Sequence, residues 1–223
     1  VKNNWVIFTM FLRHILWWKS FFNFMRVRYL GVQSYPTVFR AMRFFTHKRP
    51  LGTEDELWVL QHLPVFTLGK AGKKRHILAE TSVPVVQSDR GGQVTYHGPG
   101  QLVVYTLVDF GARSISVREL VNRLEKALMA TLAHYKISAY SEIGRPGVYV
   151  EGKKIASLGL RICHQNVYHG LSLNVDMDLT PFLTINPCGY QGLEIVDMKR
   201  YLNPCPSIAE VAEVLVQELK NSL

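Results

Sequence analysis

Apolar residues recur along this chain in two rhythms. Between Val117 and Leu132 they fall at Val117, Leu120, Val121, Leu124, Leu128 and Leu132, three or four positions apart, which draws one stripe down one face of a helix. Ser116 and Glu119 open that run at the spacing of a capping box, in which hydroxyl and carboxylate each reach the other's backbone N–H. Ser207 and Glu210 repeat the signature and start a final helix predicted to run toward Leu219. Tyr35-Pro36-Thr37 opens another, predicted through Phe45 and stopped by Pro50-Leu51-Gly52.

The second rhythm is a series of short β-rich runs bounded by turn residues. They are Glu56 to Leu63, closed by Pro64, then Val83 to Ser88, Gln93 to Tyr96, Gln101 to Phe110, Gly147 to Val150, Lys154 to Cys163 and Val167 to Val175. His97-Gly98-Pro99-Gly100 separates two of them and reads as a hairpin-like connection. With no internal repeat or low-complexity tract, residues 25–223 are expected to form one α+β domain, a mixed sheet flanked by helices. The stripe from Val117 to Leu132 is then core packed on that sheet, not a cofactor contact.

Residues 1–24 break the pattern. Trp5 to Leu12 is apolar, and an aromatic-rich stretch follows, interrupted by Arg13, His14 and Lys19. Those charges fall well short of the ~18 apolar residues a bilayer span needs, and no small-residue cleavage site follows. The segment is expected to be an extension outside the domain, the working protein starting near Met25; an interfacial helix touching a membrane is the alternative. At 223 residues, with 48% hydrophobic and 19% charged content, the rest has ordinary globular composition.

The net charge of +9 suggests an acidic partner, although three of those charges belong to Lys2, Arg13 and Lys19. Lys70-Ala71-Gly72-Lys73-Lys74-Arg75-His76 concentrates more of it. That loop suits an acidic protein face, a phosphate or nucleic acid, or is a solvated turn. Cys163, Cys188 and Cys205 are too few for a disulfide framework, and no His/Cys spacing suggests a metal. A reducing, cytoplasmic setting fits.

Cys188 stands in Ile185-Asn186-Pro187-Cys188-Gly189-Tyr190, downstream of a lysine pair in Gly152-Lys153-Lys154-Ile155-Ala156-Ser157-Leu158-Gly159. A free thiol is only about 3% ionised at neutral pH, whereas an ammonium that stabilises the thiolate by roughly 2 kcal/mol makes about half of it reactive. Thiol and amine are therefore a candidate nucleophile and activator. Arg90-Gly91-Gly92-Gln93-Val94-Thr95-Tyr96-His97-Gly98-Pro99-Gly100-Gln101 is the second signal. Its paired glycines let backbone approach a ligand, and its arginine offers a fork of donors. A plain hairpin with an exposed arginine is the competing reading. His169, in His169-Gly170-Leu171-Ser172, reads as a structural histidine rather than a base.

Three blocks of this sequence resemble the lipoyl(octanoyl) transferases, which move an octanoyl group from acyl carrier protein to a lysine of a lipoyl domain. They are Arg90 to Gln101, Gly147-Val148-Tyr149 through Lys154 to Arg161, and His169-Gly170-Leu171 through Asn186-Pro187-Cys188-Gly189. The likeness runs from about Val27 to Asp197. It implies the fold of biotin and lipoate protein ligases, with Cys188 as acyl-thioester nucleophile and Lys154 as its charge partner. Only the resemblance selects Lys154 over Lys153, which should point to the opposite face of an alternating strand. It further implies that Arg90, Gly91, Gly92, Gln93, Val94, Thr95, Tyr96, His97, Ser157, Leu158, Gly159, Gly170, Leu171 and Ser172 line the substrate site.

No cofactor and no metal are implied. Octanoyl-acyl carrier protein would be the donor; lipoyl domains of 2-oxoacid dehydrogenases and glycine cleavage H protein would be acceptors, with no nucleic acid involved. An ATP-dependent lipoate or biotin ligase is the nearest rival, but it needs no cysteine. A nucleic-acid-binding module leaves Lys154 and Cys188 without purpose, and a cysteine hydrolase normally uses a histidine base.

Overall fold

A computed structural model describes residues 25–223; the extension expected over residues 1–24 lies outside the described residues. The described residues form ten strands: β1 (Met25–Gln33), β2 (Asp55–His62), β3 (Val65–Leu68), β4 (Val85–Gln87), β5 (Val94–His97), β6 (Gln101–Asp109), β7 (Tyr140–Glu142), β8 (Arg145–Val150), β9 (Lys153–Cys163) and β10 (Asn166–Asn174). Three α-helices accompany them among the described residues, α1 (Tyr35–Lys48), α2 (Val117–His134) and α3 (Ile208–Ser222). The larger sheet has the order β1-β2-β6-β10-β9-β8-β7 and the smaller β4-β3-β5. Both are mixed, since β1–β2 and β3–β4 run parallel while the other pairs are antiparallel.

The central strands are buried on both faces and so carry near-continuous apolar runs. On β6, Leu102, Val104 and Val108 face the core beneath α2 and α3, whereas Val103, Tyr105 and Leu107 face α1. Leu120, Leu124, Leu128 and Leu132 are fully withdrawn from water against that first core, each contributing about 1.5–3 kcal/mol. The mixed sheet flanked by helices is therefore the architecture expected. Phe66, Leu68, Val94 and Tyr96 of the smaller sheet gather a third cluster with Phe182 and Ile185. No helix among the described residues is long and apolar enough to cross a membrane.

Several local expectations differ from the structure. Met25–Gln33, unassigned by its pattern, is an edge strand, whose Arg28 guanidinium grips the Glu56 carboxylate at 2.6 and 2.7 Å. Residues 97–100 are not a hairpin, because β5 belongs to the smaller sheet and β6 to the larger. The chain turns a corner there on Gly100, at φ 85°. The Gly100 N–H donates to Gln61 Oε1, and its carbonyl accepts from Val175 and Asp176. A side chain at Gly100 would collide with the Asp176 backbone.

Of the two capping boxes, only Ser207–Glu210 is complete. Ser116 Oγ accepts from Glu119 N, but the Glu119 carboxylate takes Arg123 instead. Val117 is exposed and Val121 half-buried; both border a cavity rather than the core.

Candidate active site

Cys188 lies in a single 3₁₀ turn, Pro187–Gly189, between the smaller sheet and the edge of the larger. Its backbone is left-handed, φ 57° and ψ 14°, a conformation that costs a non-glycine residue about 1–3 kcal/mol and persists only where surroundings impose it. Here they do. Asn186 N donates to His76 O at 2.8 Å, Ile77 and Ile185 form a bridge, and Gly189 N returns to Asn186 O at 2.9 Å. The half-buried thiol thus stands on a pinned turn.

Lys154 is buried near the start of β9. Its Nζ donates to Cys188 Sγ at 3.2 Å and to the Pro146 carbonyl at 2.8 Å. The amine also stands 5.5 Å from the Tyr149 ring centre, within cation–π range. Backbone bonds fix the lysine from outside the sheet: Lys154 N donates to Glu194 O, and Val196 N donates to Lys154 O. Lys153 points away and pairs with Glu194 at 2.7 Å. Of the three free cysteines, only Cys188 abuts an ammonium. Cys163 faces His47 and His164 at 3.6 Å, and Cys205 lies against Val175 O, its thiol pushed up by burial.

A cavity of about 390 Å³ opens beside the pair, large enough for a small ligand. It is lined by Arg90, Gly91, Gly92, Gln93, Val94, Thr95, His97, Ser157, Leu158, Gly159, Gly170, Leu171 and Ser172, together with Lys154 and Cys188. Tyr96 is the exception, packed instead between Phe66 and Phe182 in the third cluster.

Arg90 borders the cavity, but its fork is engaged by protein. The guanidinium donates to Thr67 O and Oγ1, Gly91 O and Gln93 O at 2.7–3.2 Å. Its structural role is to hold the glycine loop in shape, and the exposed-hairpin reading does not survive its burial.

His97 is buried and driven by burial to about 3, so its ring is neutral; Nδ1 meets Gln101 Oε1 at 2.6 Å. His169 also lines the cavity, with Nε2 on Asp89 Oδ1 at 2.8 Å. Burial pushes Asp89 upward, but hydrogen bonds from His169 and Tyr168 outweigh it and hold the carboxylate below its ordinary range. Sequence reasoning missed Tyr35, Val103 and Tyr105 on the inner wall and Arg145, Tyr149 and Tyr190 near the thiol. Aromatic and branched residues at strand spacing carry no signal of their own, because only tertiary packing turns them toward one cavity.

The family described as the lipoyl protein ligase A/B catalytic domain matches residues 34–220. An octanoyltransferase of Neisseria gonorrhoeae is 54% identical over 199 residues, covering 89% of this chain and 96% of that protein. One from Chromobacterium violaceum is 55% identical over 197 residues, covering 88% and 95%. This chain belongs to the octanoyltransferase family.

As a family member it has the expected fold relatives. A lipoate-protein ligase A bound with ATP superposes with a TM-score of 0.75 at 13% identity, covering 88% of this chain and 84% of that one. Biotin protein ligase from Aquifex aeolicus does so at 0.55 and 11% identity, covering 88% and 68%.

Proposed function

We propose that this chain transfers an octanoyl group from octanoyl-acyl carrier protein, through a thioester on Cys188, to a lysine of a lipoyl domain. The observation that carries the reading is the 3.2 Å contact between Lys154 Nζ and Cys188 Sγ at the edge of the cavity. A buried amine against a half-buried thiol supports a thiolate–ammonium pair, and the cavity beside it has room for an acyl chain.

In the first half-reaction the Cys188 thiolate attacks the donor's thioester carbonyl. The tetrahedral oxyanion collapses and expels the carrier's thiolate, which takes the Lys154 proton. One thioester replaces another of similar energy, so no ATP, cofactor or metal is needed.

In the second half-reaction Lys154, now neutral, faces an acyl-enzyme with no negative partner. The acceptor lysine's neutral amine attacks the thioester, Lys154 takes the surplus proton, and the Cys188 thiolate leaves as the amide forms. The ion pair is thereby restored. The Gly189 N–H is engaged by Asn186 O, which makes the Cys188 N–H this turn's candidate donor to the oxyanion.

Lys73, Lys74 and Arg75 are candidates to meet an acidic carrier, because the Asn186–His76 bond ties their loop to the nucleophile's turn. Lipoyl domains of 2-oxoacid dehydrogenases and glycine cleavage H protein are the acceptors we assign. Three free thiols and a thiolate-dependent reaction support a cytoplasmic setting. We treat residues 1–24 as an extension outside the catalytic unit.

Mass spectrometry tests the reading. Incubation with octanoyl-carrier should leave one octanoyl unit on the Cys188 peptide, and Cys188→Ala should leave none. Lys154→Ala should hardly form the adduct, whereas Lys154→Arg should accumulate it, because the guanidinium keeps its charge but cannot take the acceptor's proton. An adduct on Cys163 or Cys205 instead would overturn the assignment.

A further inference from the structure

Glu125 is a carboxylate in a place that otherwise takes leucines. It projects from the middle of α2, on the stripe that carries Leu124 and Leu128, and only 7% of it is exposed. Burying a carboxylate is costly unless it is hydrogen-bonded. The Gly147 N–H donates to its Oε1 at 2.9 Å.

That N–H and the Pro146 carbonyl are the two ends of one peptide unit, and the Pro146 carbonyl receives Lys154 Nζ at 2.8 Å. A continuous chain therefore runs from the Glu125 carboxylate through peptide 146–147 to the Lys154 amine and on to Cys188 Sγ. Hydrogen bonds in such chains polarise one another, so a carbonyl whose N–H is held by a carboxylate is a stronger acceptor.

We propose that Glu125 is a positioning residue: by holding peptide 146–147, it aims Lys154 Nζ at Cys188. The inference rests on the Lys154–Cys188 reading and deepens it. The peptide needs such a hold because Gly147 has φ 138°, a conformation open to glycine alone, so local backbone preference does not fix where its carbonyl neighbour points. Charge agrees with geometry. Burial leaves the Glu125 carboxyl raised on balance, although the Gly147 N–H and the Lys154 charge both act to lower it.

Other ionisable groups face the pair from the elements around it. Tyr149 and Arg145 come from β8, Arg90 from the glycine loop and Tyr190 from the strand-like exit of the Cys188 turn. Tyr149 is raised by burial to about 12 and stays neutral between pH 6 and 9, and Arg145, raised on balance, keeps its charge across that range.

Two near-isosteric variants separate reach from charge. Glu125→Gln keeps an acceptor at the same reach and discards the charge; Glu125→Asp keeps the charge but withdraws the acceptor by about one methylene, beyond hydrogen-bond range of Gly147 N. The assay is iodoacetamide alkylation of Cys188 across pH 6 to 9, with melting temperature measured alongside and Lys154→Ala as reference. We expect Glu125→Asp to slow alkylation at pH 7 by about threefold to tenfold and shift the profile toward that of Lys154→Ala. Glu125→Gln should stay within about twofold of the unaltered protein.

An unchanged profile in Glu125→Asp, or a larger effect in Glu125→Gln than in Glu125→Asp, would overturn the positioning role. An unchanged profile in Lys154→Ala would instead sink the underlying pair, so the two failures are distinguishable.

Discussion

Gly147→Ala tests how closely Lys154 is held. A methyl group at this position would press on Lys154 Cε and lie 2.7 Å from Ala156 O and 2.9 Å from Lys154 Nζ, in a backbone conformation of φ 138°. The backbone penalty alone is about 1–3 kcal/mol. For a protein of this size that corresponds to a fall in melting temperature of roughly 2–12 °C.

The larger consequence is local. To clear the methyl, the amine must retreat by about 1 Å from a sulfur now at 3.2 Å. At an effective dielectric constant near 20, unit charges at those two separations attract by ~5 and ~4 kcal/mol. The step therefore loses about 1 kcal/mol, together with part of a charge-assisted hydrogen bond. A loss of about 1.4 kcal/mol lowers the thiolate-to-thiol ratio tenfold. Alkylation of Cys188 at pH 7, followed by peptide mass spectrometry with Cys163 as internal reference, should slow by about that factor. A folded Gly147→Ala protein that alkylates at the unaltered rate would show that the lysine does not govern the thiol.

The other expectations are shorter. Cys163→Ala and Cys205→Ala should leave transfer within about twofold, since Cys163 faces two histidines and Cys205 a backbone carbonyl, both away from the Lys154 amine; loss of activity in either, measured by acceptor acylation, would contradict the Cys188 assignment. Reversing Lys73 and Lys74 to glutamate should raise KM for the carrier-bound donor and flatten its salt dependence, whereas an unchanged salt slope would return that loop to plain solvated surface.

Arg90→Met should lower the melting temperature sharply, because the Thr67, Gly91 and Gln93 carbonyls each lose a charged donor at once; a thermally neutral variant would remove Arg90 from the scaffold. Burial lowers His62 to about 4 and His97 to about 3. Each group binds a proton in the unfolded chain before it does in the folded one. Their contribution is therefore intact above about pH 6.5 and lost as pH falls toward those values. A melting temperature that stays flat between pH 6.5 and 4 would contradict neutral, buried imidazoles.

Those elements set by local chemistry were legible in the sequence. Ser207 and Glu210 announced α3 because a cap needs only four consecutive residues, and the leucines of α2 announced its buried face. The pair itself was legible only through resemblance, since nothing in Lys153-Lys154 says which side chain turns inward. A β-bulge on β9 at Ile155, next to Lys154, and the backbone bonds with Glu194 and Val196 fix that orientation.

The corner at Gly100 was misread because a glycine-proline turn has the same composition whether its strands pair with each other or with strands distant in sequence. Glu125 gave no signal at all. One glutamate in an amphipathic helix looks like surface until its partner, a backbone N–H 22 residues away, is in place.

The bridge between Lys154 and Ile195 has a consequence for how the thiol–amine distance is kept. Cys188 is covalently joined to Ile195 by a short run of chain, and Ile195 is laced to the lysine's own backbone. Sulfur and nitrogen are thus leashed to each other through this short tether, not through the sheet as a whole. Length added to the leash between Tyr190 and Glu194 passes straight into the spacing of the reacting atoms, whereas the same insertion in the turn at Leu51-Gly52 is absorbed by solvent. The stretch from Tyr190 to Glu194, which holds no α-helix or β-strand, acts as a ruler whose length matters more than its shape.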